Sequence, residues 1–469
     1  MLKIYNSETR AKEPITLLEG EDTLKMYTCG PTVYNYAHIG NFRTYVFEDL
    51  LRRTLKYLGF PLKQVMNLTD VEDKTILAAK EKGIPLSEHT KIYKEAFFED
   101  LKTLNIQPVE IYSPATDYIP EMIQMIETLI EKGHAYIGKD GGVYYSIKSF
   151  PSYGRLSHLK LEDLQEGASE RLTNDEYDKE SASDFVLWKP YDKERDGEVF
   201  WKSPFGEGRP GWHVECSAMA TKLLGETIDI HVGGVDNIFP HHENEIAQSE
   251  GCTGKHFVRH WIHAEHLIVN GKKMSKSLGN FYTLRDLLEK GYTGAEVRYL
   301  LLSTHYRTQL NFTMEGLEAA RNTLNRLRDF IYRLKNANGK GDEGISHLIE
   351  KTKAAFKEAL SDDLNISLAL ATLFDMIKPI NTLIDQSKVS KEGAQSVLRF
   401  LTEVDEVLGV LPFDKETLEI PQEIQEAFEK RQAARKAKDW AEADKQRDFI
   451  QSAGYQIEDS PDGSRVIKG

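Results

Sequence analysis

Three cysteines, one histidine-rich helix start and one lysine–serine loop are the parts of this 469-residue chain equipped for chemistry. Cys29 closes a short apolar strand. Cys216 lies in Trp212-His213-Val214-Glu215-Cys216, and His241-His242-Glu243-Asn244-Glu245 opens a helix. His241 and Glu245 stand one helical turn apart, so they share a face. Two thiolates, one imidazole and one carboxylate make a chemically reasonable zinc set. No local C-x-x-C pair anchors that set, and a lone buried cysteine is usually a small hydrophobe, so spacing alone leaves both readings open. Cys252, within Glu250-Gly251-Cys252-Thr253-Gly254, reads as part of an exposed loop and is set aside as a ligand. The second chemistry is phosphate binding in two pieces. His38-Ile39-Gly40-Asn41 precedes a strongly periodic helix whose N-terminal N–H groups and dipole suit an anion. Far downstream, Lys273-Met274-Ser275-Lys276-Ser277 gathers two cations and two hydroxyls. Around a polyphosphate such groups stabilise charge that moves in phosphoryl or nucleotidyl transfer. Neither piece is a G-x-G-x-x-G fingerprint or a Walker loop. A Lys/Ser loop by itself is usually a polar turn, and its weight comes from the pairing.

These residues need a frame. Lys25 to Cys29 reads as a strand stopped by Gly30-Pro31. A helix over 42–59 places Phe47, Leu50, Leu51, Thr54, Leu55 and Leu58 on one face. A second strand over 61–68 ends in Asn67-Leu68-Thr69-Asp70, which implies a right-handed parallel crossover. Helices follow at 72–82, at 88–104 with Ser87 as N-cap, and at 119–132 with Gly133 as a left-handed stop. Ala135-Tyr136-Ile137 and Val143 to Ile147 form a hairpin. Residues 151–183 are polar and acidic, and read as a solvated surface of loops with one short helix. Parallel-sheet texture returns with a helix after Trp212, a strand over 227–232, the turn Gly233 to Asp236, a helix from His241, a strand over 266–269 and the basic loop. Helices dominate after residue 285, in bundle texture. The expected fold class is α/β. A Rossmann-like parallel-sheet domain (1–118 and 209–310) carries a connective insertion (119–208). A helical bundle (311–415) and a small C-terminal region (416–469) follow.

Composition narrows the class. The net charge of −14 excludes a general nucleic-acid binder, although local basic clusters such as Lys430 to Lys438 remain. Few cysteines argue against a disulfide framework and for a reducing compartment. No apolar run approaches a membrane span, and Met1-Leu2-Lys3-Ile4-Tyr5 lacks the character of a signal peptide. A cytoplasmic location without membrane contact is the expectation.

His38-Ile39-Gly40-Asn41 with Lys273-Met274-Ser275-Lys276-Ser277, in this order, resembles the paired HIGH and KMSKS signatures of class I aminoacyl-tRNA synthetases. KMSKS is intact. Asn41 replaces the last histidine of HIGH and keeps a side-chain amide. Cys29-Gly30-Pro31-Thr32-Val33-Tyr34, Gly211 to Met219 and Phe239-Pro240-His241-His242-Glu243-Asn244-Glu245 resemble the cysteinyl-tRNA synthetases in particular. The likeness covers nearly the whole chain and is weakest in the polar insertion and beyond about residue 340.

The resemblance implies zinc on Cys29, Cys216, His241 and Glu245, where it would bind the substrate thiolate. Shape alone separates cysteine from serine by only ~100-fold, whereas a coordinated thiol loses its proton outright. Trp212 would wall the amino-acid pocket. Asp236 and Thr69 would hold the substrate's ammonium and backbone, and His263 and His266 either line that pocket or pack structurally beside Trp261. His38, Gly40, Ser275 and Ser277 would contact ATP, brought with Mg2+. Lys273 and Lys276 would stabilise the leaving pyrophosphate, with Asn41 beside His38 in the catalytic set. The partners implied are L-cysteine, ATP and tRNA(Cys), the last held by the helical region, by Lys430 to Lys438 and by Arg465 and Lys468. The chain would act as a monomer. Two rivals remain: a tRNA-independent ligase joining cysteine to a small amine, and a non-catalytic zinc protein that binds tRNA or nucleotide.

Overall fold

The computed structural model describes residues 1–159, 184–275, 278–413, 421–460 and 463–468. The expectations for Lys276 and Ser277 lie outside these residues, as do the side chains of Arg465 and Lys468 and most of the polar stretch 151–183.

A five-stranded sheet organises the first compact unit, Met1–Leu411. Its strands are β1 (Leu24–Thr28), β2 (Leu62–Leu68), β3 (Ile111–Pro114), β4 (Ile228–Gly234) and β5 (Val258–Ala264). They lie in the order β5-β4-β1-β2-β3, all parallel. The chain leaves β1 toward β2 on one side and places β4 on the other. The carboxyl ends of β1 and β4 therefore form a topological switch point, where open α/β sheets bind ligands. Sequence patterning did not reveal β5, because Arg259, His260 and His263 interrupt its apolar run. Those polar groups are satisfied from the side. Arg259 Nη1 donates to the Thr16 carbonyl (2.7 Å), His260 Nδ1 meets the Asp229 carbonyl (3.1 Å) and His263 Nδ1 meets Ser7 Oγ (2.7 Å).

Helix α1 (Ile39–Tyr57) follows β1. The expected apolar face is buried save for Leu58, yet Arg43, Glu48, Asp49, Arg52 and Arg53 are buried too. The outer face is covered. Asp49 Oδ2 accepts from Arg53 Nε (2.7 Å) and pairs with Arg298 Nη2 (2.5 Å). The two guanidinium groups also donate to the carbonyls of Glu406 (2.8 Å) and Leu408 (2.7 Å). A buried charged face of α1 thus anchors the helical region. Helix α2 (Trp212–Leu224) precedes β4, and α3 (Glu243–Thr253) joins β4 to β5. Cys252 sits in the last turn of α3, half-buried, rather than in a loop. Gly254, at φ 75°, ends the helix after it. The helix over Leu86–Thr103 begins before Ser87, so Ser87 is not its cap.

Between β3 and β4 lies an antiparallel sheet of Ala135–Ile137, Val143–Tyr145, Phe185–Pro190, Gly206–Pro210 and Trp201–Ser203. The hairpin was legible, but the last three strands were not. Charge interrupts their pattern: Arg209 is buried and donates from Nε to Asp196 Oδ1 (2.9 Å) of the short helix Lys193–Asp196. Met314–Lys335, Ile345–Ser361, Ile366–Asp385 and Lys391–Leu408 form the helical region. Contrary to the sequence reading, Ile366–Asp385 is long and apolar enough to cross a membrane by length and composition. It packs on its neighbours through Ala369, Leu373, Met376 and Ile380. The second compact unit, Pro412–Gly469, is a helical hairpin (Gln422–Ala437, Trp440–Ser452) with a two-stranded sheet, closed over Ile424, Ala427, Ile450 and Val466.

Candidate active site and metal centre

Three separated segments bring one donor set together at the switch point. Cys29 follows β1 and is held by its N–H to Val232 O of β4 (3.2 Å). Gly30 packs so tightly on β2 that a Cβ would meet the Asn67 carbonyl at 1.8 Å. Cys216 sits on the first turns of α2. His241 lies in a helical turn (Ile238–His242) interrupted by extended Phe239, and Glu245 lies in the first turn of α3. The donor atoms of Cys29, Cys216, His241 and Glu245 fall within 4.8 Å of one another. Cys29 is half-buried and the other three are buried.

Each nitrogen and oxygen ligand has one atom tied and one aimed at the centre. His241 Nδ1 meets His213 Nδ1 at 2.8 Å, which leaves Nε2 for a metal. Glu245 Oε2 meets His231 Nε2 at 2.9 Å. Its Oε1 is buried without a hydrogen-bond partner, 3.0 Å from His241 Nε2. Such outer partners orient metal ligands. The charges also call for a cation. A hydrogen bond from Cys29 brings Cys216 down to about 6 against the opposing effect of burial. Burial would lower His241, but the carboxylate of Glu245 and the thiolate of Cys216 raise it to about 10. Burial likewise opposes ionisation of Glu245, and His231 and His241 overcome it, to about 2. Without a metal, a protonated imidazole supplies the positive charge the pocket demands. The residues therefore fit a zinc ion. A second set, Cys29, His231, His242 and Glu245, overlaps the first. Its imidazoles are already engaged: His231 on Glu245, and His242 between Cys29 Sγ (3.3 Å) and His263 (2.8 Å). They buttress the first set.

Trp212 stacks on His241, with ring centroids 4.3 Å apart, and remains 37% exposed as an outer wall. Asp236 is exposed just beyond β4. Thr69 is buried, and its hydroxyl donates to Glu215 Oε2 (3.2 Å). His263 is buried against Ser7 (2.7 Å) and His242, whereas His266 is exposed.

The phosphate pieces meet as well. His38 caps α1, whose first turn carries no acid. Its Nδ1 accepts from Asn41 N (3.1 Å), and its own N–H donates to Asn41 Oδ1 (3.1 Å). Asn41 is thus half of a reciprocal cap that fixes the His38 ring. A Cβ on Gly40 would lie 3.2 Å from Met274 Cε, so the KMSKS loop rests on the HIGH turn. Lys273 is exposed on a short strand (Lys272–Lys273) beyond the tight turn Asn270-Gly271. Asn280 braces this loop. It accepts from Ser275 N (2.9 Å) and donates to the Lys273 carbonyl (3.2 Å). The segment after the loop is tied to HIGH through Ile39 N to Tyr282 O (3.0 Å). Sequence reasoning missed His213, His231, His242 and Asn280. The available signal was polar residues inside core elements, such as His231 within Ile228-Asp229-Ile230-His231-Val232.

Residues 16–322 match the family described as the tRNA synthetases class I (C) catalytic domain, and residues 355–412 match the DALR domain. The cysteine–tRNA ligase of Protochlamydia amoebophila (strain UWE25) is 61% identical over 468 residues, covering 100% of this chain and 98% of that one. That of Chlamydia muridarum (strain MoPn / Nigg) is 55% identical over 478 residues, covering 100% and 99%. Among solved structures, Mycobacterium tuberculosis methionyl-tRNA synthetase in complex with methionyl-adenylate shares the fold. Its TM-score is 0.61 at 15% identity, over 82% of this chain and 89% of that one. A putative arginyl-tRNA synthetase from Campylobacter jejuni does so with a TM-score of 0.54 at 14% identity, over 83% and 91%. With the catalytic-domain match spanning the sheet and both signature motifs, and with identities above half over the full length, the chain belongs to the cysteine–tRNA ligases, a family of class I aminoacyl-tRNA synthetases.

Proposed function

We propose that the chain activates L-cysteine with ATP to cysteinyl-adenylate and pyrophosphate, and then transfers the cysteinyl group to the 3′ end of tRNA(Cys). The observation that carries this reading is the buried four-donor set beside the joined HIGH and KMSKS turns. Zinc held by Cys29, Cys216, His241 and Glu245 would supply the Lewis acidity that keeps a bound thiol deprotonated.

The chain's own residues do the rest. Trp212 walls the amino-acid pocket, and Asp236 and Thr69 hold the ammonium and backbone. His38, oriented by Asn41, and the N–H groups near Gly40 receive the ATP phosphates, which arrive with Mg2+. Lys273 and Lys276, with Ser275 and Ser277, take up charge on the departing pyrophosphate. Attack by the substrate carboxylate on the α-phosphate needs no covalent enzyme intermediate, only two substrates held at the correct approach.

The division at 1–118, 119–208, 209–310, 311–415 and 416–469 assigns the first and third segments to activation and the last two to tRNA. Lys430, Lys436 and Lys438 are exposed, as is Trp440 (60%), and these suit a nucleic-acid surface. Arg431 is buried and serves the fold of that unit. The ligase works in the cytoplasm as a monomer, away from membranes. The long helical region and the exposed lysines of the C-terminal segment favour tRNA over a small amine as acceptor. Amino-acid-dependent ATP–pyrophosphate exchange across a full amino-acid panel tests the reading. Exchange with cysteine alone is expected, and its absence would refute activation.

A further inference from the structure

A run of buried hydrogen bonds ties the segments that carry Cys29 and Cys216 to the end of β2. The loop after Cys29 is laced to that strand end. Gly30 N donates to Asn67 Oδ1 (2.8 Å), Thr69 N donates to the Pro31 carbonyl (3.0 Å), and Val33 N donates to the Thr69 carbonyl (3.0 Å). The side chains carry the run onward. Asn67 Nδ2 donates to Thr69 Oγ1 (3.2 Å), and Thr69 Oγ1 donates to Glu215 Oε2 (3.2 Å). Asn67, Thr69 and Glu215 are all buried. One end of the run therefore adjoins Cys29 and the other adjoins Cys216, the two thiolate donors of the candidate metal centre.

The direction of the protons in this run is fixed. A backbone N–H can only donate, so Gly30 turns the Asn67 amide with its oxygen toward Gly30 and its NH2 toward Thr69. A hydroxyl has one proton and two lone pairs. Asn67 occupies one lone pair of Thr69, and Glu215 takes the proton. What remains is one lone pair, which can accept a hydrogen bond and cannot give one. Stability alone does not account for Glu215. It is fully buried, and its second oxygen, Oε1, has no hydrogen-bond partner among the described residues. An unpaired buried oxygen costs free energy. An apolar side chain in the same place on α2 would avoid that cost.

Resting on the proposed function, in which Thr69 meets the ammonium and backbone of the substrate, we propose that Asn67 and Glu215 are positioning residues that hold the Thr69 hydroxyl as a pure acceptor. It then takes an N–H of the α-ammonium and leaves the carboxylate free to attack the α-phosphate. A hydroxyl free to rotate would donate to that carboxylate and restrain the nucleophile. The same lacing fixes the acceptor relative to both thiolate donors, so the sulfur and the ammonium of one substrate are received at a set separation.

Two small thiols divide the substrate between them. Cysteamine keeps the ammonium and lacks the carboxylate, and 3-mercaptopropionate does the reverse. Calorimetric titration of the zinc-loaded protein with each thiol, beside metal analysis, gives the ratio of their affinities in the parent, in Asn67→Ala and in Glu215→Leu. Both thiols share the sulfur, so a general loosening of the pocket weakens them alike and leaves the ratio unmoved. In both variants zinc should stay bound, and the preference for cysteamine over 3-mercaptopropionate should fall by about 10-fold, the worth of one hydrogen bond to a charged group. An unchanged ratio would overturn the proposal, because the run would then only brace the pocket. A ratio that moves toward cysteamine would overturn it by assigning the hydroxyl to the carboxylate. Lost zinc would overturn it by making the run a support for the metal alone. If neither variant folds, Thr69→Val, which keeps the shape of the side chain and removes the acceptor, decides on the same ratio. A parent protein that binds neither thiol would instead overturn the underlying function, and this proposal with it.

Discussion

The candidate metal pocket and the KMSKS loop, proposed above to serve one reaction, are built in opposite ways. In the pocket, Cys216, His241 and Glu245 are buried, and His213 and His231 hold the latter two in place. In the loop, Lys273 is exposed, and among the described residues its supports include the contact of Met274 with the HIGH turn and the two hydrogen bonds of Asn280. The difference fits the tasks proposed for the two regions. Selecting a thiol over a hydroxyl needs a fixed, dehydrated donor set, because discrimination comes from coordination and not from shape. Stabilising a departing pyrophosphate needs cations that water and substrate can reach. Removing parts from each region should therefore fail differently.

The largest effect is expected at the pocket. Cys216→Ser should lose bound zinc and reduce cysteine-dependent exchange by more than about 100-fold, since it removes a ligand that even outer partners are known to tune by 10–100-fold. Metal analysis beside the exchange assay checks this, and retained stoichiometric zinc would mean the ligand set is wrong. Lys273→Ala should cost roughly 3 kcal/mol in the transition state while zinc content stays intact. A matching loss of zinc would erase the distinction between the two regions. His231→Ala sharpens the pocket's inner order, because it frees Glu245 Oε2 and should weaken zinc affinity by about 10–100-fold in a chelator competition.

How much of this was legible in the sequence tracks the same contrast. The loop's chemistry is contiguous: five residues carry it, and a tight turn at Asn270-Gly271 marks its base. The central strands β1, β2 and β4 and the helical region were likewise readable from periodicity. The pocket was not readable by spacing, because its ligands come from three separated segments and its supports, His213 and His231, sit inside α2 and β4, where a histidine resembles any polar interruption. β5 was invisible for the same physical reason. Its Arg259 and His263 bond Thr16 and Ser7 near the N-terminus and its His260 bonds the Asp229 carbonyl of β4, so the strand lacks the apolar run that marks a core position. The charged face of α1 carried no periodic signal: Arg53 and Asp49 are buried there against Arg298 of the helix Gly294–Leu302.

The smallest effect lies on the pocket's outer support. Glu250, on α3, accepts from Arg155 Nη2 (2.6 Å) and Nη1 (3.0 Å) and from Phe257 N (3.0 Å). Burial would raise it, but His256 and Arg155 hold it at about 2. A depressed carboxylate contributes stability above its ordinary range and loses it as pH falls from about 4.5 toward 2. Glu250→Gln should therefore cost about 2 kcal/mol at neutral pH, after allowance for solvent screening. The difference from the parent should shrink below pH ~4, as denaturant melts at several pH values would show. A difference that stayed constant with pH would assign the cost to packing.

The central claim is that a metal held by Cys29, Cys216, His241 and Glu245 recognises the substrate by its sulfur. Cobalt(II) in place of zinc makes this directly visible, because each thiolate ligand adds to a sulfur-to-metal charge-transfer band. The account predicts a band from two protein thiolates that grows by about half when cysteine is added and does not change with serine. An unchanged band with cysteine, or an equal response to serine, would contradict it.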